Sequence, residues 1–472
     1  GASGYVGRHL VARLVAEGVR VRAAARRVAA LEAEHGDGVE IVRADALDPE
    51  SLRPVFTGVS VVYYLVHSMG AGARFPEHDR EAARNVAAVA AEAGVARIVY
   101  LGGLAPANPD TPHLASRVET GEILRRGAVP VTELRAGIII GPGSAAFEVM
   151  RDLVAHLPIM VTPRWVHRRT PPIALDELLT ELIALPRMPE AANGIFETGG
   201  PSRLTYAEMM RILARALGKR APVVIPVPLL TPKLSSYWLT FVSATPPPVA
   251  RALISGLKYD LSADDRNLRA LLPPPTVDFE GAVQRVFDAE ARIEATDRWR
   301  EGAFDLRGHR HDISFYGKQL TRTAASQASP DAVWEVLERI GTRRAGYFFL
   351  NAVWRLRLWL DRLAGGQDAG RRPDDAGTPA AGERFDVWRV LAAVPPKRLT
   401  LVSGLVAPGT GGMEVEITAT GDGGSAVSAT IHWHPAGWPG LAYWYALGPV
   451  HALMLRGMVK RIAERAATGR HG

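Results

Sequence analysis

The chain has 472 residues, of which 47% are hydrophobic and 22% charged, with a formal net charge of +7. That length exceeds one ordinary hydrophobic core, so we expect two or three globular domains. The absence of cysteine excludes disulfides, thiolate metal sites and a cysteine nucleophile. No apolar run approaches about 20 residues and no signal peptide is visible, so we expect a cytoplasmic protein that could still associate with a membrane surface.

The basic residues are mostly scattered arginines. The densest cluster is Arg164, His167, Arg168 and Arg169. No nucleic-acid-binding motif accompanies this cluster, so we interpret it as solvated surface and expect no nucleic-acid partner. No His, Asp or Glu cluster has the spacing of metal ligands, so no metal site is predicted either.

The first seven residues form a glycine motif. Gly1-Ala2-Ser3-Gly4-Tyr5-Val6-Gly7 has the spacing G-x-x-G-x-x-G, and a helical pattern follows at once. In a nucleotide-binding βαβ unit such glycines allow a tight turn, a close approach to a diphosphate, and packing of helix on strand. The amides of the turn and the positive helix end would hold the phosphates. The strand that should precede Gly1 is absent, so we expect a sheet that lacks its first strand.

Strands and helices alternate after this turn. Strand-like segments occur near 19–25, 39–43, 59–69, 97–101 and 131–140, with helical patterns near 4–17, 77–93 and 114–126. This alternation predicts an α/β fold with a doubly wound parallel sheet, which we assign to residues 1–272.

The second half of the chain has a different pattern. Pro273-Pro274-Pro275 and a charged stretch near 288–311 predict a linker over residues 273–317. Residues 318–467 then contain a helix starting at Ser329-Pro330, strand-like segments at 385–391, 398–404, 412–419 and 425–433, and a long amphipathic stretch at 447–466. One helix, several antiparallel strands and a final helix indicate an α+β domain.

Two positions bear on the choice of nucleotide. The second strand ends in Ala25-Arg26-Arg27, with no acidic residue, so Arg26 and Arg27 favour the 2′-phosphate of NADP(H) over NAD(H). The alternative is that both arginines simply face solvent. Asp45 and Ala46 follow the third strand; the acid could accept the adenine amino group, or it could be an ordinary acid ahead of the next helix.

Together these segments resemble the atypical short-chain dehydrogenase/reductases of extended, NmrA/epimerase-like type. The resemblance rests on GASGYVG, AARR, Asp45, YYLVHSM, IVYLGGL, HLASRVETGEILR and LRAGIIIGPG, over about residues 1–260. It implies that Leu65, Val66 and His67 pass the ribose and nicotinamide, that Leu101, Gly102 and Gly103 line the other side, and that residues 136–139 flank the carboxamide. The cofactor residues so implied are Gly1, Ser3, Gly4, Tyr5, Val6, Gly7, Arg26, Arg27, Asp45, Ala46, Leu65, Val66, His67, Leu101 and Gly102.

The sequence departs from the catalytic pattern of that superfamily. Where active reductases carry Tyr-x-x-x-Lys, this chain has His113 and Arg117. His113 could act as an acid near neutral pH, and Arg117 could hold the ribose or a substrate oxyanion. Alternatively, His113 starts a helix and Arg117 makes structural ion pairs. Arg135 could be structural under the sheet or could reach a substrate pocket.

The C-terminal segment resembles the uncharacterised domain that often follows this Rossmann type, with the helix-grip architecture of START-like proteins. ASPDAVWEVLERIG, WRLRLWLDRL, FDVWRV and AYWYALGPVHALMLRGMVKRI carry the resemblance. It implies a ligand cavity, walled by Trp354, Trp359, Trp388, Trp433, Trp438 and Trp444; a tryptophan-rich core without a ligand is the alternative. Residues 441–455, followed by Arg456, Lys460 and Arg461, could rest on an anionic membrane or form the buried face of the last helix.

Three functions remain open. The first is a reductase or epimerase-like enzyme that uses NADPH on a hydrophobic or ring-containing substrate. The second is a non-catalytic NADPH-binding sensor or structural partner in a complex. The third is a lipid- or quinone-handling protein whose C-terminal domain carries the ligand.

Overall fold

A glycine turn, a helix and a strand open the chain in the computed structural model. The structure describes residues 1–26, 28, 31–32, 38–67, 74–162, 164–227, 244–246, 250, 258–291, 299–300, 303–304, 314, 316–367, 369–421 and 423–469. The described residues divide into two compact units, one formed mainly before residue 300 and one mainly after residue 303.

The first unit alternates strands and helices. Its helices are α1 (Tyr5–Ala16), α2 (Pro49–Phe56), α3 (Phe75–Glu92), α4 (Pro112–Arg125), α5 (Ala145–His156), α6 (Leu175–Ala184), α7 (Tyr206–Ala216), α8 (Arg266–Arg269) and α9 (Phe279–Ala291). Its strands are β1 (Arg22–Ala25), β2 (Glu40–Arg43), β3 (Val61–Tyr64), β4 (Arg97–Gly103), β5 (Val131–Ala136), β6 (Ile139–Ile140), β7 (Ile159–Thr162), β8 (Arg169–Thr170), β9 (Ile173–Ala174), β10 (Ile195–Thr198), β11 (Leu204–Thr205), β12 (Val223–Pro226) and β13 (Trp299–Arg300).

Capping residues set several helix starts. Asp48 accepts the Glu50 amide at 3.1 Å ahead of α2, and Thr111 accepts the Leu114 amide at 3.4 Å ahead of α4. Both caps precede a proline at the first helical position, where the missing N–H costs nothing. The start of α4 therefore holds His113 in its first turn.

The parallel strands of this unit form two separate parts, with the first residues of the chain between them. Strands β10, β5, β4 and β3 form one parallel sheet in that order, and β1 and β2 form a parallel pair. Residues 1–2 lie between these two parts: the Ala2 amide donates to the Ala24 carbonyl at 3.4 Å, and a Cβ on Gly1 would lie 2.7–2.8 Å from Leu65 atoms. The predicted α/β fold with a parallel, Rossmann-like sheet is confirmed.

Helices cover both faces of the sheet. Alternate residues of β4 face opposite layers: Val99 and Leu101 pack with residues of α1 and α6, whereas Ile98 and Tyr100 pack with residues of α2 and α3. This alternation follows from the period-two geometry of a strand. All of these β4 residues are buried, as expected for a sheet enclosed between helix layers.

The linker predicted over residues 273–317 is interrupted by a packed helix. Phe279, Ala282, Val283 and Val286 of α9 are buried in one cluster with Leu213 and other residues of α7. Their spacing is that of an amphipathic helix, and the prolines just before it obscured that pattern. The first unit therefore extends at least to residue 291.

The second unit is built on one antiparallel sheet. Its elements are β14 (Ala303–Phe304), β15 (Lys318–Ser326), α10 (Pro330–Leu337), α11 (Asn351–Leu363), β16 (Arg384–Phe385), β17 (Trp388–Val394), β18 (Arg398–Ser403), β19 (Gly409–Ala419), β20 (Ser425–Pro435) and α12 (Gly437–Thr468). The sheet order is β15-β20-β19-β18-β17-β16, and α12 packs against β15, β20 and α10. This is the predicted α+β arrangement, although α12 begins ten residues earlier than predicted and continues through Pro449.

Candidate functional site

Several of the predicted cofactor residues that the structure describes follow the carboxyl ends of parallel strands. β1 ends just before Arg26, β3 ends just before Leu65-Val66-His67, and β4 ends at Gly103. Because parallel strands share their carboxyl edge, these segments converge where α1 begins. Open α/β sheets bind their ligands in this crevice.

The glycine turn has the close geometry that its motif predicts. Gly4 caps α1 without a side-chain hydrogen bond, and its carbonyl accepts the Arg8 amide at 3.0 Å. A Cβ on Gly7 would lie 2.2 Å from the Gly1 carbonyl oxygen, so a larger residue would displace the turn. The first amides of α1 have no carbonyl one turn earlier, which leaves them available to an anion.

The side chains of Tyr5 and Val6 contribute differently from the backbone of the turn. Both pack against the cluster shared by α1 and α6. The Tyr5 hydroxyl is directed at Gly141, where a Cβ would lie 2.2 Å from it, and burial raises the pKa of Tyr5. The side chains of Tyr5 and Val6 therefore anchor α1. Their backbone, with that of the partly buried Ser3, can contact a cofactor.

The residues predicted to read the adenosine end have separate local roles. Arg26 is exposed at the end of β1, and Arg27 lies outside the described residues. Asp45 organises its own turn: its carboxylate accepts the Leu47 amide at 3.1 Å, and Ser51 bonds both its amide and its carbonyl. The Ala46 carbonyl accepts the Asn85 side-chain amide at 3.0 Å.

His67 and His113 meet in a hydrogen-bonded chain that ends on a buried carboxylate. His67 Nδ1 lies 2.9 Å from Asp79 Oδ2, and His67 Nε2 lies 3.0 Å from His113 Nδ1. The Ser116 hydroxyl donates to the same Asp79 oxygen at 2.9 Å. Asp79 is 2% exposed, so its charge is held by these donors.

The imidazoles of His67 and His113 are neutral near pH 7. Burial lowers the pKa of His67 despite the opposing effect of Asp79. Burial, followed by the neighbouring His67 and Arg117, lowers the pKa of His113 to about 3. A neutral His67 that donates from Nδ1 to Asp79 must accept at Nε2, so His113 donates from Nδ1. His113 Nε2 is then a hydrogen-bond acceptor, an arrangement that differs from the acid near neutral pH that the sequence analysis expected.

Arg117 lies against the end of β4. Its guanidinium donates to the Leu101 carbonyl and lies 5.8 Å from the centre of the Tyr100 ring. Its Nε is buried and has no hydrogen-bond partner among the described residues, and it lies 3.8 Å from where a Cβ on Gly103 would be. A buried cationic N–H without an acceptor is costly and indicates a group that a ligand could satisfy.

Arg135 has the structural role that we left open. Glu133, 1% exposed, lies between Arg125 and Arg135, with Arg135 Nε at 2.6 Å. A Cβ on Gly121 would lie 2.4 Å from a Glu133 oxygen, so the glycine makes room for this ion pair. The cluster joins α4 to β5 and holds in place the helix that carries His113.

Asp79 and Ser116 were missed by the sequence reasoning. Asp79 is 34 residues from His113 in sequence and lies in no recognised motif. A signal was present, because Asp79 shares the buried stripe of α3 with Ala82, Ala83 and Val86. An acidic residue on the apolar face of a helix requires a buried partner.

The six tryptophans proposed as cavity walls separate into two groups. Trp388, Trp433 and Trp444 are buried, and Trp354 stacks on Tyr347 with ring centres 4.3 Å apart. Trp359 and Trp438 are 54% and 66% exposed, so they are surface residues and wall no enclosed cavity.

Two family models match the chain. Residues 1–129 match one described as NAD(P)H-binding, and residues 311–458 match one described as a protein of unknown function (DUF2867). The chain is 29% identical to the ceramide reductase of Caulobacter vibrioides over 229 residues, which covers 48% of this chain and 71% of that protein. It is 28% identical to a (4-alkanoyl-5-oxo-2,5-dihydrofuran-3-yl)methyl phosphate reductase of Streptomyces griseus over 263 residues, covering 54% of this chain and 83% of that protein.

Solved structures share the fold of the first unit. The Citrobacter sp. triphenylmethane reductase in complex with NADP(H) matches at 23% identity and the Escherichia coli NADPH-dependent quinone oxidoreductase with NADPH at 20%. Each has a TM-score of 0.50 and covers 61% of this chain and 98% of its own. With the glycine turn and the convergent strand ends, these matches show that the N-terminal unit has a Rossmann fold, and its residues 1–129 are the part that matches the NAD(P)H-binding family model.

Proposed function

We propose that this chain is an NADP(H)-dependent reductase that transfers a hydride to a hydrophobic or ring-containing acceptor. The observation that carries the proposal is the glycine turn at the carboxyl edge of the sheet, opposite the Leu65–His67 segment. Two relatives named as reductases support the activity, and their names describe a ceramide and an alkanoyl-substituted furan ring.

Arg26 supports a preference for NADP(H). It is exposed at the end of β1, and no acidic residue accompanies it there to bind a free ribose hydroxyl. A charge-assisted bond from arginine to the 2′-phosphate contributes about 1.5–3 kcal/mol, which is a ten- to hundred-fold preference. Arg26→Ser should reduce the ratio of NADPH to NADH affinity by that factor. Arg20→Ser is the matched control, because Arg20 is also exposed but precedes β1.

Arg117 is the proposed electrophilic group. The bound dinucleotide supplies the hydride, and the buried Nε of Arg117 would donate to the oxygen on which negative charge develops. His113 Nε2 accepts a hydrogen bond and carries no proton to give. The substrate that receives the hydride therefore takes its proton from water. Quinones and enones suit such a site, because their reduced oxyanion is stabilised before it is protonated.

A steady-state assay tests this division of roles. NADPH oxidation is followed with a panel of quinones and enones at neutral pH. Arg117→Gln should lower kcat by on the order of 100-fold, as the loss of an oxyanion donor does. His113→Gln should lower kcat only a few-fold, because His113 positions its neighbours. A larger effect of His113→Gln than of Arg117→Gln would contradict the assignment.

A non-catalytic NADPH-binding protein is the second candidate. The sequence lacks Tyr-x-x-x-Lys at these positions, and His113 and Arg117 are already hydrogen-bonded to His67 and to the Leu101 carbonyl. Both facts favour this candidate. A chain that binds NADPH tightly but oxidises it with no member of the panel would support this candidate over the reductase.

For the C-terminal unit we propose a START-like helix-grip architecture. A six-stranded antiparallel sheet with the 32-residue α12 packed against two of its strands supports this assignment. A crystal structure of residues 314–469 in which α12 does not lie across the sheet would contradict it.

A further inference from the structure

The C-terminal unit carries a stripe of exposed apolar side chains on α11 and α12. These side chains are between 40% and 67% exposed, far more than is usual for large apolar residues. At about 100° per residue, the members on α11 fall within about 100° of one another around the helix and those on α12 within about 140°, so each set shares one face. We call this set the apolar stripe; its members are Leu356, Trp359, Leu360 and Leu363 on α11 and Trp438, Tyr445, Val450 and Leu453 on α12.

Parts of the two helices of the stripe come near each other. Phe349, just before α11, packs against Gly457 of α12, where a Cβ would lie 2.1 Å from its ring. Further along, Arg357 of α11 lies near His451 of α12; burial and then the charge of Arg357 lower the pKa of His451. The start and the middle of α11 therefore lie near residues 451–457 of α12.

Basic residues border the stripe, and the nearest acidic residue along α12, Glu464, lies 3.6 Å from Lys460. Residues 437–463 include no Asp or Glu, and the exposed face of α12 continues from Leu453 to Arg456 and Lys460. Exposed Arg355 lies on α11. The one acidic residue of α11, Asp361, is 1% exposed; it accepts the Val406 amide at 2.8 Å and pairs with Arg357.

We propose that this face docks on an anionic lipid surface, with the apolar stripe inserted at the headgroup level and the bordering arginines and lysine on lipid phosphates. The complementary charge selects this occupant over a neutral partner. Tryptophan and tyrosine are favoured where one end of a side chain is apolar and the other wet. Among the described helices none is long and apolar enough to cross a bilayer, so the contact is interfacial. The proposal does not depend on the nucleotide site, which lies in the other unit.

Vesicle co-sedimentation tests the proposal. Wild-type protein should sediment with vesicles of phosphatidylcholine and phosphatidylglycerol at about 7:3, and much less with phosphatidylcholine alone. Trp359→Ser with Trp438→Ser should weaken binding on the order of ten-fold or more through lost apolar area. Arg456→Ser with Lys460→Ser should weaken it about five-fold for each charge removed. Ile159→Ser, at a 57% exposed position in the other unit, is the matched control and should bind as wild type does.

Each remaining outcome overturns the proposal. These outcomes are a wild-type protein that binds neither vesicle, one that binds both equally, and stripe variants that bind as tightly as wild type. A wild-type dimer that the tryptophan variant converts to monomer would show that a second copy covers the stripe. Unchanged circular dichroism and thermal midpoints of the variants ensure that the loss is not unfolding.

Discussion

Replacing His113 with glutamine should make the N-terminal unit less sensitive to acid. Burial, His67 and Arg117 lower the pKa of His113 to about 3 in the folded chain, against about 6.5 when unfolded. A base with a depressed pKa binds more protons in the unfolded state than in the folded state. The free energy of unfolding is therefore unaffected by the titration of His113 above about pH 6.5 and decreases as the pH falls from there toward 3. At pH 5 this proton uptake lowers the free energy of unfolding by about 2 kcal/mol relative to neutral pH.

The measurement compares two stabilities for each protein. Urea-dependent hydrogen exchange of β4 reports on this unit alone, at pH 7.5 and at pH 5. At pH 7.5 the free energy of unfolding of the variant should be about 1 kcal/mol lower than that of the wild type, because the hydrogen bond to His67 is lost. Between the two pH values the wild type should lose about 2 kcal/mol more than the variant. Equal losses in both proteins would show that His113 titrates normally and would refute the neutral, hydrogen-bonded pair.

Two further predictions concern packing and charge. Glu133→Gln should destabilise the N-terminal unit by about 3–5 kcal/mol, because Arg125 and Arg135 would lose a buried counterion; urea denaturation measures it, and a loss below 1 kcal/mol would argue against the buried pair. Gly457→Ala should destabilise the C-terminal unit by about 1–3 kcal/mol through contact with the Phe349 ring, whereas Gly448→Ala, with open space around it, should stabilise α12 by about 0.5–1 kcal/mol. Identical thermal midpoints for the two alanine variants would contradict that account.

Many elements of both units could be predicted because their signals are local. Strand periodicity, the glycine spacing and the cap at Ser329 each act within a few residues, and the Ser329 side chain does accept the Ala332 amide. The start of α12 was misplaced because Gly448 and Pro449 usually end helices. Here Pro449 is exposed and the helix continues on both sides of it.

The site was less predictable because its decisive contacts are long-range. His67 was expected to pass the cofactor, yet its two nitrogens are engaged by Asp79 and His113. His67 follows β3, Asp79 lies on α3 and His113 on α4, and no spacing rule in the sequence relates three residues that only the folded chain brings together. The neutral state of His113 likewise depends on burial, which a sequence does not display.

An NADPH titration of the wild type and of Gly7→Ala tests the central claim most directly. The claim is that the turn at residues 1–7 binds the diphosphate, and a methyl group at Gly7 would lie 2.2 Å from the Gly1 carbonyl. Losing two charge-assisted hydrogen bonds should weaken NADPH binding on the order of 100-fold, while the control Gly448→Ala should bind as wild type does. Equal NADPH affinity in the wild type and Gly7→Ala would contradict it.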